Sequence, residues 1–191
     1  MKKLILASTS PYRKTLLERL GIPFKQVDPL FEEAAPGSMP PEQLVLHNTT
    51  GKASSVLARY PDATIIASDQ LAVCGDMVLG KPGSKAQACA QLASLSGKRV
   101  TFLTGLALFS EKDKRCEVIP FEVFFRDLST IEIENYVERE NPVDCAGSFK
   151  SEGLGIALFD RMQGDDPTAL IGLPLIRLSQ WLKPLQQETA A

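Results

Sequence analysis

Residues 4–17, LILASTSPYRKTLL, change character within a few positions. The apolar run Leu4 to Ala7 stops at three hydroxyls (Ser8, Thr9 and Ser10) and at Pro11. Such a run reads as a buried-type strand. Ser10 then fits a helix N-cap with Pro11 at the first helical position. Leu16, Leu17 and Leu20 form one apolar stripe, and Gly21 ends the helix. The same turn carries an oddity, because Arg13 and Lys14 fall where the helix end is already partly positive. In one reading both point into solvent, where the penalty is small. In the other a bound anion reconciles the helix end, the two cations and the hydroxyls, making a phosphate cradle.

Working outward, residues 23–43 begin as a strand and become a loop punctuated by Pro29, Pro36, Pro40 and Pro41. A helix is predicted from about Pro41 to Tyr60, weakened by the NTTG at 48–51. Residues 63–80, ATIIASDQLAVCGDMVLG, read as a strand and a hairpin turning at Gly75-Asp76. Residues 84–97 have helical spacing and a stop at Gly97. RVTFLTGLALFS (99–110) and CEVIPFEVFFRDL (116–128) are strands joined by the charged EKDKR. Ser129 and Glu132 have capping-box spacing at the head of another helix. GIALFDRMQGD (155–165) reads as strand plus turn, LIRLSQWLKPL (175–185) as a closing amphipathic helix, and QQETAA (186–191) as a frayed tail. Helices alternating with partly hairpin-linked strands predict α/β, with a mixed sheet.

The 191 residues suit one domain, 1–191, of two lobes without a clean linker. A net charge of −2 does not suggest a general nucleic-acid or membrane-surface binder, and leaves room for a local cluster of cations. No apolar run approaches the ~20 residues of a membrane span, and Leu4 to Ala7 is too short for a secretory core. Cys74, Cys89, Cys116 and Cys145 lie too far apart for a zinc knuckle or redox motif, and scattered thiols fit a reducing, cytoplasmic setting. His47 is the sole histidine, which sets aside zinc catalysis. TTGKAS at 49–54 is no P-loop, because Leu46 stands where the first glycine is needed. GLG at 153–155 lacks the third glycine of a dinucleotide fingerprint.

Beyond the opening stretch, four segments carry chemistry. Glu32-Glu33 lie on a loop after a strand. Asp69 ends an apolar run, so it either faces a cleft, meets a cation, or is an ordinary turn aspartate. Lys81 sits between Gly80 and Pro82. CAGSFKSEG (145–153) brings Lys150 and Glu152, and Lys52 adds a further cation. Together they supply hydroxyls and cations for phosphates, and carboxylates for a hard divalent metal such as Mg²⁺.

LILASTSPYRKTLL, FEE, the GKA at 51–53, IIASDQ, GKP, TGLAL, CAGSFKSEG and IGLPL resemble, in order and spacing, the Maf family of nucleoside triphosphate pyrophosphatases. The resemblance runs from residue 4 to about 178, nearest the family's 7-methyl-GTP branch. It implies that Asp69 is the catalytic proton acceptor that activates a water. It implies that Ser8, Arg13, Lys52 and Lys81 contact the triphosphate, and that Glu33 and Asp69 hold a divalent metal, Mg²⁺ or Mn²⁺. Tyr12, Gln70 and Glu152 match positions that select the base. The implied fold is a mixed, largely antiparallel α/β structure like the inosine-triphosphate pyrophosphatases, two lobes around a cleft, often a homodimer. The implied reaction is hydrolysis of 7-methyl-GTP to 7-methyl-GMP and pyrophosphate, acting on a small nucleotide and not on nucleic acid or membrane. A broader pyrophosphatase of noncanonical nucleotides, or a nucleotide-binding regulator of cell division, are the alternatives. Many relatives have arginine where Tyr12 and Lys14 stand, an Asp-Glu pair where this chain has Glu32-Glu33, and a more helix-friendly stretch than HNTTGK.

Overall fold

Strand β1 (Leu4–Ala7) is buried along its whole length. The reason is its place in the sheet: it pairs in parallel with β2 (Lys25–Val27) on one side and β3 (Thr64–Cys74) on the other. An inner parallel strand covered on both faces needs a continuous apolar run, which LILA supplies. The computed structural model describes residues 3–187. Helix α1 (Pro11–Glu18) starts at the Ser10 cap, and Leu16 and Leu17 are its buried residues. Helix α2 (Pro41–Arg59) runs unbroken through the NTTG that was expected to weaken it.

Strand β3 turns at Gly75 (φ 58°) into β4 (Met77–Leu79), antiparallel, with Val73 opposite Val78. A two-residue turn needs that left-handed backbone, and glycine adopts it without cost to a side chain. Helix α3 (Lys85–Leu95) starts at the Ser84 cap and stops before Gly97 (φ 68°). Strands β5 (Arg99–Phe109) and β6 (Lys114–Phe125) form the meander, and helix α4 (Thr130–Glu140) begins in the full capping box of Ser129 and Glu132. Strand β7 (Phe159–Gln163) pairs antiparallel with β6. The chain closes with α5 (Pro167–Ile171) and α6 (Leu175–Gln187). Of the expected frayed tail, Gln186 and Gln187 belong to α6, and the remainder lies outside the described residues. The strand order is β2-β1-β3-β5-β6-β7, with β4 on β3. The protein is a mixed α/β structure with a largely antiparallel seven-stranded sheet and flanking helices.

One expectation changes. GIAL reads as the start of a strand, yet it lies within a 3-10 helix (Leu154–Leu158), and β7 begins only at Phe159. Gly155 explains it: a Cβ there would run into the backbone of Lys150. The chain doubles back on itself too closely for a strand.

The structure divides into two compact units. The first comprises Met1–Gln70, Thr104–Ile119 and Asp166–Ala191. Its core includes Ile5 on β1, Ile65 and Ala67 on β3, Ala53 and Val56 on α2, and Ala107 and Phe109 on β5. Each large aliphatic side chain fully buried there stabilises by roughly 1.5–3 kcal/mol. The second comprises Leu71–Leu103 and Pro120–Asp165. It is built around edge-to-face contacts of Phe149 with Phe102, Phe125 and Phe159, at ring separations of 5.4, 5.6 and 4.9 Å. No helix among the described residues is long and apolar enough to cross a membrane.

Candidate functional site

The chemistry of the first unit gathers where β1 and β3 hand over to α1 and α2. Ser8 leaves β1 buried, its N–H donating to the Val27 carbonyl (3.0 Å) and its Oγ accepting from the Ser10 N–H (3.1 Å). Ser10 caps α1, accepting from the Arg13 N–H at 3.4 Å. The two cations of this turn then part company. Lys14 lies on the outside, 3.9 Å from Glu18 one turn on, an exposed pair of little energetic weight. Arg13 turns inward, and its Nε donates to the Gly172 carbonyl at 3.0 Å. The Ser68 hydroxyl donates to the same oxygen at 2.8 Å. Gly172 (φ 118°) holds a conformation that favours glycine, so the IGLPL segment presents its carbonyl to both donors. Burial pulls the Arg13 pKa down from its ordinary value, and the charges of Asp69 and Glu33 oppose that. The guanidinium thus shares one electrostatic neighbourhood with the two carboxylates.

Lys52 joins them. It is buried on α2, and its Nζ lies 2.7 Å from Asp69 Oδ1 and 2.6 Å from Glu33 Oε1. A buried ammonium is tolerable only when paired and hydrogen-bonded, and here two carboxylates do so. Of the readings open for Asp69, the structure shows the one in which it meets a cation: it is 6% exposed and inside β3. Its Oδ2 accepts from Asn48 Nδ2 at 3.3 Å. Asn48 and Lys52 are four apart on α2 and so share a face. Glu33 is exposed on its loop, as is Glu32, and it is Glu33 that pairs with Lys52.

The helix-unfriendly stretch before Lys52 has packing reasons. A Cβ at Gly51 would overlap the Phe31 ring, so glycine lets the Glu33 loop lie directly on α2. Phe31 also meets His47, ring to ring at 6.0 Å. Thr49 is fully buried where α2 rides on Gly105 of β5, a contact that a Cβ at Gly105 would block.

Gln70 follows Asp69, and its Nε2 donates to the Thr104 hydroxyl (2.9 Å) and to the Ala169 and Leu170 carbonyls (2.7 and 3.2 Å). It therefore ties β3 to α5. Asp166, buried, fixes α5 further: Oδ1 accepts from the Thr168 N–H (3.0 Å) and Oδ2 from the Ile176 N–H (2.7 Å). Tyr12 is half-buried in the first turn of α1. Lys81 and Glu152 belong to the second unit and are exposed. In that unit Lys150, which the sequence also singled out, has its ammonium on the Glu140 carbonyl at 3.0 Å, closing the end of α4.

The structure thus brings Arg13, Glu33, Lys52 and Asp69 together, with Ser8 at the base of the same turn. Asn48, Ser68 and Gly172 hold that set and were not read as site residues. Gly172 had a signal in IGLPL; Asn48 had one in its spacing from Lys52. Among the described residues no group of three or more His, Cys, Asp or Glu is arranged to hold a metal. The two carboxylates that converge on Lys52 Nζ are hard oxygen donors. Such a pair fits an ion like Mg²⁺, which keeps waters and shares a site with substrate phosphates more than it fits an all-protein cage.

The chain matches the family described as Maf-like protein over residues 3–185. It is 51% identical over 185 residues to the 7-methyl-GTP pyrophosphatase of Colwellia psychrerythraea, covering 96% of this chain and 92% of that one. It is 52% identical over 181 residues to the 7-methyl-GTP pyrophosphatase of Alkalilimnicola ehrlichii, covering 94% and 91%. Among solved structures it is similar to the Staphylococcus aureus Ham1 protein, at 15% identity and a TM-score of 0.46 over 65% of this chain and 71% of that one. The match to the family and to both curated relatives spans nearly the whole sequence, and the chain belongs to the Maf family.

Proposed function

We propose that this chain is a nucleotide pyrophosphohydrolase that cleaves 7-methyl-GTP between its α- and β-phosphates, giving 7-methyl-GMP and pyrophosphate. The observation that carries the reading is Lys52 bridging Asp69 and Glu33 within the field of Arg13. Carboxylates and cations in one neighbourhood support this reading, because hydrolysis of a polyanion needs a proton acceptor and positive charge near each other. The names of the two relatives supply the substrate.

In this reading Asp69 orients a water and takes its proton. Lys52 donates to one of its oxygens and Asn48 to the other, and an ionised carboxylate has lone pairs beyond those for the water. Ser8, Arg13 and Lys52 take phosphate oxygens, joined by Lys81. Glu33 and Asp69 would hold the Mg²⁺ or Mn²⁺, which when bound would offset negative charge on the phosphate oxygens. Tyr12 stacks on the cationic methylated guanine, a contact worth ~1–2 kcal/mol when desolvated. Glu152 accepts from the guanine N1–H and 2-amino edge, and Gln70 contributes to base selection while holding α5. The protein acts in the cytoplasm as a homodimer.

Pyrophosphate release from a nucleotide panel with Mg²⁺ and Mn²⁺ tests this. The expected result is 7-methyl-GTP ahead of UTP and dTTP, with Asp69→Asn lowering kcat by about 10²–10⁴-fold. Faster hydrolysis of UTP or dTTP overturns the substrate, and an active Asp69→Asn protein overturns the base.

A further inference from the structure

Asn48 is a nearly fully buried amide, 2% exposed, inside α2. Asparagine is a poor helix former, and a buried amide must find partners for both of its ends. Here it does. Oδ1 accepts from the Ala34 N–H at 2.9 Å, and Nδ2 donates to Asp69 Oδ2 at 3.3 Å while reaching the Ala34 carbonyl at 3.5 Å. Ala34 is the residue after Glu33. One side chain therefore joins the loop that carries Glu33 to the strand that carries Asp69, one turn before the lysine that pairs with both.

The two contacts on Asp69 also divide its oxygens. Lys52 holds Oδ1 and Asn48 holds Oδ2, so the carboxylate cannot rotate without losing one of them. The Glu33 loop lies along α2, with the Pro29 carbonyl accepting from the Ser55 hydroxyl, Phe31 lying on Gly51, and Ala34, the residue next to Glu33, held by Asn48. Lys52 alone would not set the loop, because its ammonium can follow a displaced Glu33 on a flexible stem. The planar amide, fixed in a helix, supplies direction as well as attraction.

We infer that Asn48 is a positioning residue, which fixes the Glu33 loop against Asp69 so that the two carboxylates are offered to a hard divalent cation in one geometry. The inference rests on the pyrophosphatase reading for its consequence in catalysis, but not for the clamp itself. Amide hydrogen exchange at Ala34 in the substrate-free protein tests the clamp. In Asn48→Leu, similar in size but without hydrogen bonds, exchange at Ala34 should quicken by at least about tenfold, while α2 stays protected. The second arm is the Mg²⁺ concentration giving half-maximal pyrophosphate release. It should rise about tenfold, as loss of a partner behind a ligand does, with kcat at saturating Mg²⁺ changed less than the metal dependence. Asn48→Ala, which favours the helix, serves the same readouts where the leucine variant fails to fold. Unchanged exchange at Ala34 overturns the clamp. Faster exchange with an unchanged Mg²⁺ requirement overturns its role toward the metal. A wild-type protein releasing no pyrophosphate from any nucleotide overturns the functional reading, and the Ala34 exchange then still decides whether Asn48 sets the loop.

Discussion

Two helices in this protein open with the same device and opposite charge. Ser10 caps α1 by accepting from the N–H three residues on, at 3.4 Å, and Ser129 caps α4 in the same way at the same distance. At that third position α1 has Arg13 and α4 has Glu132. In α4 the carboxylate reaches back, accepting from the Ser129 N–H at 2.8 Å and from its hydroxyl at 2.7 Å, and pairs with Arg126 at 2.9 Å. That end satisfies its own donors and answers its own dipole. The first turn of α1 has no acid, and its arginine turns to the Gly172 carbonyl, toward the neighbourhood of Asp69 and Glu33. Its positive field is left for something outside the helix. The contrast teaches that a cap is a common structural part, and that the third residue decides whether a helix end is closed or kept open for an anion.

The sharpest way to break this comparison is to remove the charge at its centre. Arg13→Met should lower kcat/KM for pyrophosphate release by about 10²–10³-fold, the usual cost of losing one donor to a developing anion. Arg13→Lys should recover part of it, since it restores charge without the planar guanidinium that reaches Gly172. Steady-state kinetics on folded variants, checked by circular dichroism, decide it. Wild-type kinetics in Arg13→Met would make α1 an ordinary capped helix with an eccentric arginine.

The matching change at the other helix should fall on stability alone. Ser129→Ala removes the cap of α4 and should cost about 1 kcal/mol in urea unfolding, with kcat and KM unchanged. A change in kcat as large as that in Arg13→Met would mean that the two helix ends are not different in kind.

Much of this was readable in the sequence where one local rule dominated. LILA followed by Ser-Pro gave β1 and α1, because an inner strand must be apolar and a proline suits only the first turn. Ser129 and Glu132 likewise announce α4, since the capping box is made entirely within four residues. Readings failed where tertiary contact outweighed local preference. NTTG looked like a weak point in α2, yet Asn48 bonds to Ala34 and Asp69, Thr49 packs on Gly105, and Gly51 admits Phe31. Each unfavourable residue serves a partner distant in the chain. GIAL looked like a strand because its composition is apolar, and nothing local shows that Lys150 lies against Gly155. At the site, the residue types were legible and their pairing was not. Arg13 and Lys14 stand side by side in the sequence, and only the structure separates the one that bonds to the Gly172 carbonyl from the one that pairs with Glu18.

The smallest expected effect is a dependence on pH that belongs to α4. The backbone and hydroxyl of Ser129, then Arg126, draw the Glu132 pKa down to about 2 from an ordinary 4.5. A carboxyl with a depressed pKa in the folded protein stabilises it fully above the unfolded value, and that contribution disappears as pH falls through the folded one. The capping contribution of Glu132 is therefore intact above about pH 4.5 and lost toward about pH 2. Glu132→Gln keeps the shape of the side chain but not its charge. The variant should be less stable than wild type at neutral pH, and the difference should narrow progressively between those two values. Urea unfolding of both proteins at several pH values measures the gap. A gap that does not change with pH would mean that the charge of Glu132 adds nothing to its hydrogen bonds, and that α4 is closed by geometry alone. In that case the electrostatic half of the contrast with α1 would rest on Arg13 only.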